Sequence, residues 1–179
     1  MEILFENIFV RDKKTAKEIY GYWFFKKPTM VAMYSILAAY ATACIVGLII
    51  DFESAKESAF PLFCALLLPV LMIISYSSQV KMMVDRDKEM GGGEGISCHV
   101  TVTDSELTLT AFDGKNSVSV DNIKYAFLTK SYIVIVTKAR LMYILKKDSF
   151  TIGDSDGFIA FLLKKGVKVR GQKKRPVQK

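Results

Sequence analysis

MVAMYSILAAYATACIVGLII, residues 30–50, and FPLFCALLLPVLMIISYSS, residues 60–78, are two apolar runs a short polar loop apart, and their reading decides the architecture. At about 1.5 Å per helical residue they span about 31 Å and about 28 Å, close to the roughly 30 Å hydrocarbon thickness of a bilayer. Neither contains an Asp, Glu, Lys or Arg. A charge at mid-bilayer costs about 2.5 to 3.5 kcal/mol on the insertion scale, so two uncharged runs of this length meet the requirement for a transmembrane hairpin. A soluble protein with two buried helices fits less well, because the runs are apolar all round and not on one face. A secretory signal fits less well still. The first run starts late, exceeds the usual apolar region of about 7 to 15 residues and is followed by a second; Ala41-Thr42-Ala43 resembles a cleavage motif but lies inside the run.

The flanks set the orientation. Lys13, Lys14, Lys17, Lys26 and Lys27 precede the first run, and Lys81, Arg86 and Lys88 follow the second. The connecting loop Asp51 to Ala59 carries only Lys56 against Asp51, Glu53 and Glu57. Positive flanks stay inside, which predicts a multi-pass protein of the cell membrane with both termini cytoplasmic. Pro28 sits where a helix can begin without its N–H, and Pro69 falls mid-way through the second helix. Ala38, Ala39, Ala41, Ala43 and Gly47 would let helices approach closely, although small residues are common in membrane helices anyway.

Cys44 and Cys64 fall at similar depth in the two runs and Cys98 in the soluble part, with no C-x-x-C and no His-plus-Cys spacing suited to zinc. They read as small buried side chains, with a Cys44–Cys64 contact as the alternative. His99, the only histidine, alternates out of phase with Cys98, Val100 and Val102 and reads as a surface residue on a strand.

Before the membrane, residues 1–27 hold a strand and a helix. Glu2 to Val10, with Ile3, Phe5, Ile8 and Val10, reads as a short strand with broken alternation, free to pair with the distant C-terminal sheet. Ala16, Ile19, Tyr20, Trp23 and Phe24 then follow the i, i+3, i+4, i+7, i+8 spacing of an amphipathic helix. Trp23, Lys26 and Lys27 suit the headgroup region, where an amphipathic ring keeps its body dry and an ammonium stays wet. Two readings stay open: an interfacial helix, or a helix packed on the soluble domain.

Residues 28–90 make the hairpin and a cytoplasmic extension of its second helix, ended by Gly91-Gly92-Gly93-Glu94-Gly95. This glycine run has no G-K-[ST] ending, no strand before it and no helix after it, so it reads as a hinge and not a phosphate cradle. From Ile96 the period becomes two. Ile96, Cys98, Val100 and Val102 form one expected strand, Leu107, Leu109 and Ala111 a second, Val118 and Val120 a third, and Tyr125, Phe127 and Thr129 a fourth. Tyr132 to Val136 and Leu141 to Leu145 are nearly continuous apolar strands, expected to be central or covered on both faces. Asp104-Ser105 and Asp113-Gly114 supply turns. A closing helix is capped by Asp154 or Ser155, shows Phe158, Ile159 and Leu162 on one face, and ends at Lys164, Lys165 and Gly166. Asp154-Ser155-Asp156-Gly157 fails as a calcium loop, because the expected closing glutamate falls on Leu163. The expected core is Val134, Val136, Tyr143, Leu145, Phe158 and Leu162.

The fold class is therefore an α+β membrane protein: a two-helix hairpin, and over residues 96–167 a small curled sheet with a helix across its open end, as in pleckstrin-homology-like domains. Asp121-Asn122-Ile123-Lys124, Tyr143-Ile144-Leu145-Lys146-Lys147-Asp148-Ser149-Phe150 and Gly157-Phe158-Ile159-Ala160-Phe161-Leu162 carry a resemblance to the YcxB-like membrane proteins of bacteria. That resemblance implies an N-terminal strand and helix, two membrane helices and a C-terminal β domain. Members often have proline before the lysine where this chain has Lys146-Lys147. The family implies no reaction, ligand or catalytic residue.

Residues 168–179 read as a basic tail. Lys164, Lys165, Lys168, Arg170, Lys173, Lys174, Arg175 and Lys179 are eight cations without an acid, more than the formal net charge of +7, so the rest of the chain is close to neutral. Near an anionic leaflet each contributes about 1 kcal/mol. Trp23, Lys26, Lys27, Lys173, Lys174 and Arg175 are thus the candidate contacts with the bilayer and its anionic headgroups. A tail that only solubilises the chain and enforces its topology is the alternative. Nucleic acid is not an expected partner, since the tail lacks interleaved aromatics. No nucleophile, base and orienter are grouped, so no enzyme and no cofactor or metal are expected. The resulting expectation is a non-enzymatic, membrane-anchored binding or regulatory module with an unidentified membrane or cytoplasmic protein as possible partner. A transport accessory or self-assembling component acting through its helices is the alternative, disfavoured by their lack of charge.

Overall fold

The computed structural model describes residues 2–50, 59–91, 95–111 and 114–171. These residues form an α+β protein with four α-helices and two β-sheets. It divides into two compact units, Met1–Ile19 with Val84–Lys179, and Tyr20–Met83.

In the first unit, strand β1 (Phe5–Arg11) leads into helix α1 (Lys13–Gly21). After the two long helices come β2 (Ile96–Val102), β3 (Glu106–Ala111), β4 (Gly114–Ser119), β5 (Ile123–Leu128), β6 (Tyr132–Thr137), β7 (Met142–Lys146) and β8 (Phe150–Ile152). One sheet has the order β4-β3-β2-β1-β8. The N-terminal strand therefore does join the C-terminal strands: β1 pairs antiparallel with β2 from Phe5↔Val102 to Arg11↔Ile96. Its phase differs from the expected one. Asn7 and Phe9 are buried while Ile8 and Val10 face outward, because Asn7 has polar work inside. Its amide donates to the Lys146 carbonyl at 2.8 Å and accepts from the Lys146 N–H at 3.0 Å.

β7, expected to be central or covered on both faces, lies at the edge of the other sheet and is covered on both faces, with Tyr143, Ile144 and Leu145 all buried. The Asn7 side chain supplies its edge with the two hydrogen bonds a neighbouring strand would make, so an apolar strand is tolerated there. β6 is buried along its whole length. Pairing breaks between β4 and β5, where a 3₁₀ turn at Val120–Asn122 intervenes, so the strands make two sheets and not one curled sheet.

Helix α4 (Ser155–Lys164) and a last strand, β9 (Lys168–Arg170), complete the unit. Asp154 caps α4 through Gly157 N–H at 2.8 Å. Gly166 at φ 76° ends it, a left-handed position that favours glycine. β9 pairs in parallel with β5, giving the order β7-β6-β5-β9 and carrying the fold into the segment read as tail. Three residues are too few to show a period, which is why β8 and β9 escape sequence reading.

All six expected core residues are buried. Ile133 and Ile135 join Tyr143, Leu145, Phe158 and Leu162 in the core between the sheets and α4. Alternation along β6 turns Val134 and Val136 to the opposite face, with Tyr132, whose hydroxyl meets Thr15 Oγ1 of α1 at 2.8 Å. Thr15, Ala16 and Ile19 are buried there, so the start of α1 packs on this sheet.

The second unit contains helix α2 (Pro28–Ile50) and most of helix α3 (Ala59–Gly91), which continues through Pro69. The loop 51–58 lies outside the described residues. Both helices are long and apolar enough to cross a membrane, and only 6% and 11% of their apolar windows are buried. Two hydroxyls of α2 bond its own backbone, Ser35 to Val31 O and Thr42 to Ala38 O. Cys44 and Cys64 are free thiols.

Candidate functional site

Between α1 and α2 the backbone opens into a π turn, Tyr22–Lys26, closed by the Lys27 N–H on the Tyr22 carbonyl at 2.9 Å. The cause lies one residue on: a residue before proline avoids the helical region, and Lys27 is extended at φ −65°, ψ 129°. The Lys27 carbonyl then receives the first helical bonds of α2, from Met30 at 2.9 Å and Val31 at 3.1 Å.

This turn gathers three of the six expected contact residues. Trp23 and Lys27 are half-buried and Lys26 is exposed, with the Lys27 ammonium 4.7 Å from the Trp23 ring centroid. Phe24 and Phe25 turn edge-on to Tyr76 of α3, at centroid separations of 6.0 and 5.2 Å. Tyr76 was missed in sequence because it lies in the apolar run. It completes an aromatic collar where α2 begins, a position matching the aromatic belts of membrane helices. Lys173, Lys174 and Arg175 lie outside the described residues.

The first unit has its own fixed charges. Arg11 grips Asp87 of the α3 extension with two hydrogen bonds, Nε to Oδ2 at 2.9 Å and a terminal guanidinium nitrogen to Oδ1 at 2.6 Å. Both side chains are largely buried, at 16% and 8% exposure. No sequence signal marks a pair so far apart in the chain. Beside it, Gly95 has no room for a side chain: a Cβ would lie 2.7 Å from Val10 Cγ1 and 2.9 Å from the Arg11 carbonyl. The glycine run thus includes a close-packed position as well as the expected helix stop; Gly92 to Glu94 lie outside the described residues.

His99 is more engaged than a free surface residue. Its Nε2 lies 2.7 Å from Glu6 Oε1, and Thr151 donates to Glu6 Oε2 at 2.6 Å. The hydrogen bond from Thr151, then that from His99, holds the Glu6 carboxyl below its ordinary range. Burial pushes the Glu18 carboxyl upward, but hydrogen bonds from Thr129 and the Ser131 N–H outweigh it, and the group stays ionised lower than usual. Asp12 behaves alike, burial opposed by hydrogen bonds from Thr15. These carboxylates hold the backbone and strand neighbours. Among the described residues no three His, Cys, Asp or Glu side chains are grouped to hold a metal ion. No family model, curated protein or solved structure matches this chain.

Proposed function

We propose that this chain is a non-enzymatic, membrane-anchored binding module. In this reading α2 and α3 form a transmembrane hairpin in the cell membrane, both termini are cytoplasmic, and the β unit is a small pleckstrin-homology-like domain that engages a partner at the cytoplasmic surface. The plan is the one that resemblance to YcxB-like proteins implies. The observation that carries it is the exposure of the two uncharged apolar runs in these helices: a soluble protein rarely leaves so large an apolar surface in water, and here Ser35 and Thr42 bond their own helix. The Trp23, Lys26 and Lys27 collar and the basic outer flanks support the orientation. Engagement of each carboxylate described above in a structural hydrogen bond or ion pair supports binding over catalysis.

The test is co-purification in mild detergent of the full-length chain and of a hairpin-only chain. A partner retained by the full chain and lost from the hairpin supports the module. Equal retention by both would overturn it and assign the function to the helices.

A further inference from the structure

We infer that the face of the second sheet covered by α1 is a contact surface for the phosphate groups of anionic lipids, centred on Lys168 and Arg170 of β9. This rests on the membrane-anchored reading and names one partner for it. Register decides which side chains share that face. Ala126 pairs with Val169 and points with it into the core, so Tyr125, Phe127, Lys168 and Arg170 take the opposite side. Across β6 the same side carries Tyr132, which Thr15 of α1 touches. α1 and the two β9 cations therefore lie on one face of one sheet.

Its charge is one-sided. Lys13 and Lys14 are exposed on α1, and Lys168 and Arg170 are exposed on β9. The only carboxylates of the α1 segment, Asp12 and Glu18, are turned into hydrogen bonds with Thr15 and Ser131. The Arg170 guanidinium lies 4.7 Å from the Tyr125 ring centroid, a stacking that holds the planar fork in place for a phosphate. In the chain, Pro28, the first residue of α2, follows nine positions after Ile19, which is buried on this face. Lysine and arginine on an edge strand also discourage strand-to-strand aggregation, but that role is indifferent to lipid charge.

The experiment uses the full chain in nanodiscs of phosphatidylcholine, with and without phosphatidylglycerol, and reads amide hydrogen exchange over Gly166–Gly171. Exchange is expected to slow in the anionic discs by about fivefold for each cation engaged, an effect that added salt removes. The Lys168→Gln/Arg170→Gln variant, with Lys173, Lys174 and Arg175 left in place, should lose that difference, while Lys168→Arg/Arg170→Lys should keep it. Exchange in β6 reports whether each variant is folded. Equal exchange in the two discs for the unaltered chain, or an undiminished difference in the folded glutamine variant, overturns the inference. So does equal slowing in neutral discs on adding an oligonucleotide, which would assign the face to nucleic acid. Failure of the chain to migrate with the discs is a separate result, and overturns the hairpin itself.

Discussion

Arg11 and Asp87 show how much one pair of side chains can decide. Each charge is largely removed from water, and each meets the other through two hydrogen bonds. Removing one partner strands the second, so Asp87→Ala is expected to cost about 3 to 5 kcal/mol in denaturant unfolding of the β unit. Replacing both by apolar residues of similar volume should cost much less; equal losses in the single and double variants would show that packing, not charge, holds this contact. Glu18 gives a pH dependence. Its folded pKa lies below its ordinary 4.5, so its contribution is complete above that value and is lost as pH falls through the folded one. Glu18→Gln should therefore be less stable than the parent at neutral pH, with the gap narrowing below about pH 4.5. A gap constant down to acid unfolding would remove Glu18 from the linkage.

At the scale of elements, α4 and β1 are tied by aromatic packing. Phe158 is fully buried, with ring centroids at 5.3 Å to Phe5, 5.9 Å to Phe150 and 6.3 Å to Phe161. Phe158→Ala should cost about 3 to 5 kcal/mol, a large share of what a small domain possesses. An unchanged melting temperature would place α4 outside the core. Because Phe5 belongs to β1, a fragment beginning at Ile96 loses the strand between β2 and β8 along with this ring contact. Helix α1 takes the packed reading at its start: Thr15, Ala16 and Ile19 pack on the β unit, whereas Trp23, Lys26 and Lys27 fall in the π turn that follows. The single amphipathic stripe legible in the sequence is divided by Pro28, whose restriction on Lys27 breaks the helix.

For the whole molecule, two apolar helices and basic outer flanks predict integral insertion with both ends cytoplasmic. Alkaline carbonate should leave the full-length protein in the membrane fraction. A topology reporter fused at Lys179 should show cytoplasmic activity, and one placed in the Asp51 to Ala59 loop should show external activity. Extraction by carbonate, or the reverse reporter pattern, would refute the arrangement.

What the sequence determined by itself is what repeats locally. The uncharged runs, the period-two strands from Ile96, the Asp154 cap and the Gly166 stop were legible because each depends on neighbours within a few residues. So was most of the core. Trp23, Lys26 and Lys27 were legible as neighbours because they lie within five residues of one another, and the π turn holds all three. Tertiary structure alone decided the rest. The burial of Asn7 in place of Ile8 follows from the open edge of β7, which lies 139 residues away in the chain. The Arg11–Asp87 pair spans 76 residues, and nothing local to either marks it. Tyr76 acquires a role only when α3 meets the π turn. Lys168 and Arg170 look like the start of a tail until β5 offers them a strand, because pairing between distant segments is fixed by edges and volumes that no local pattern records.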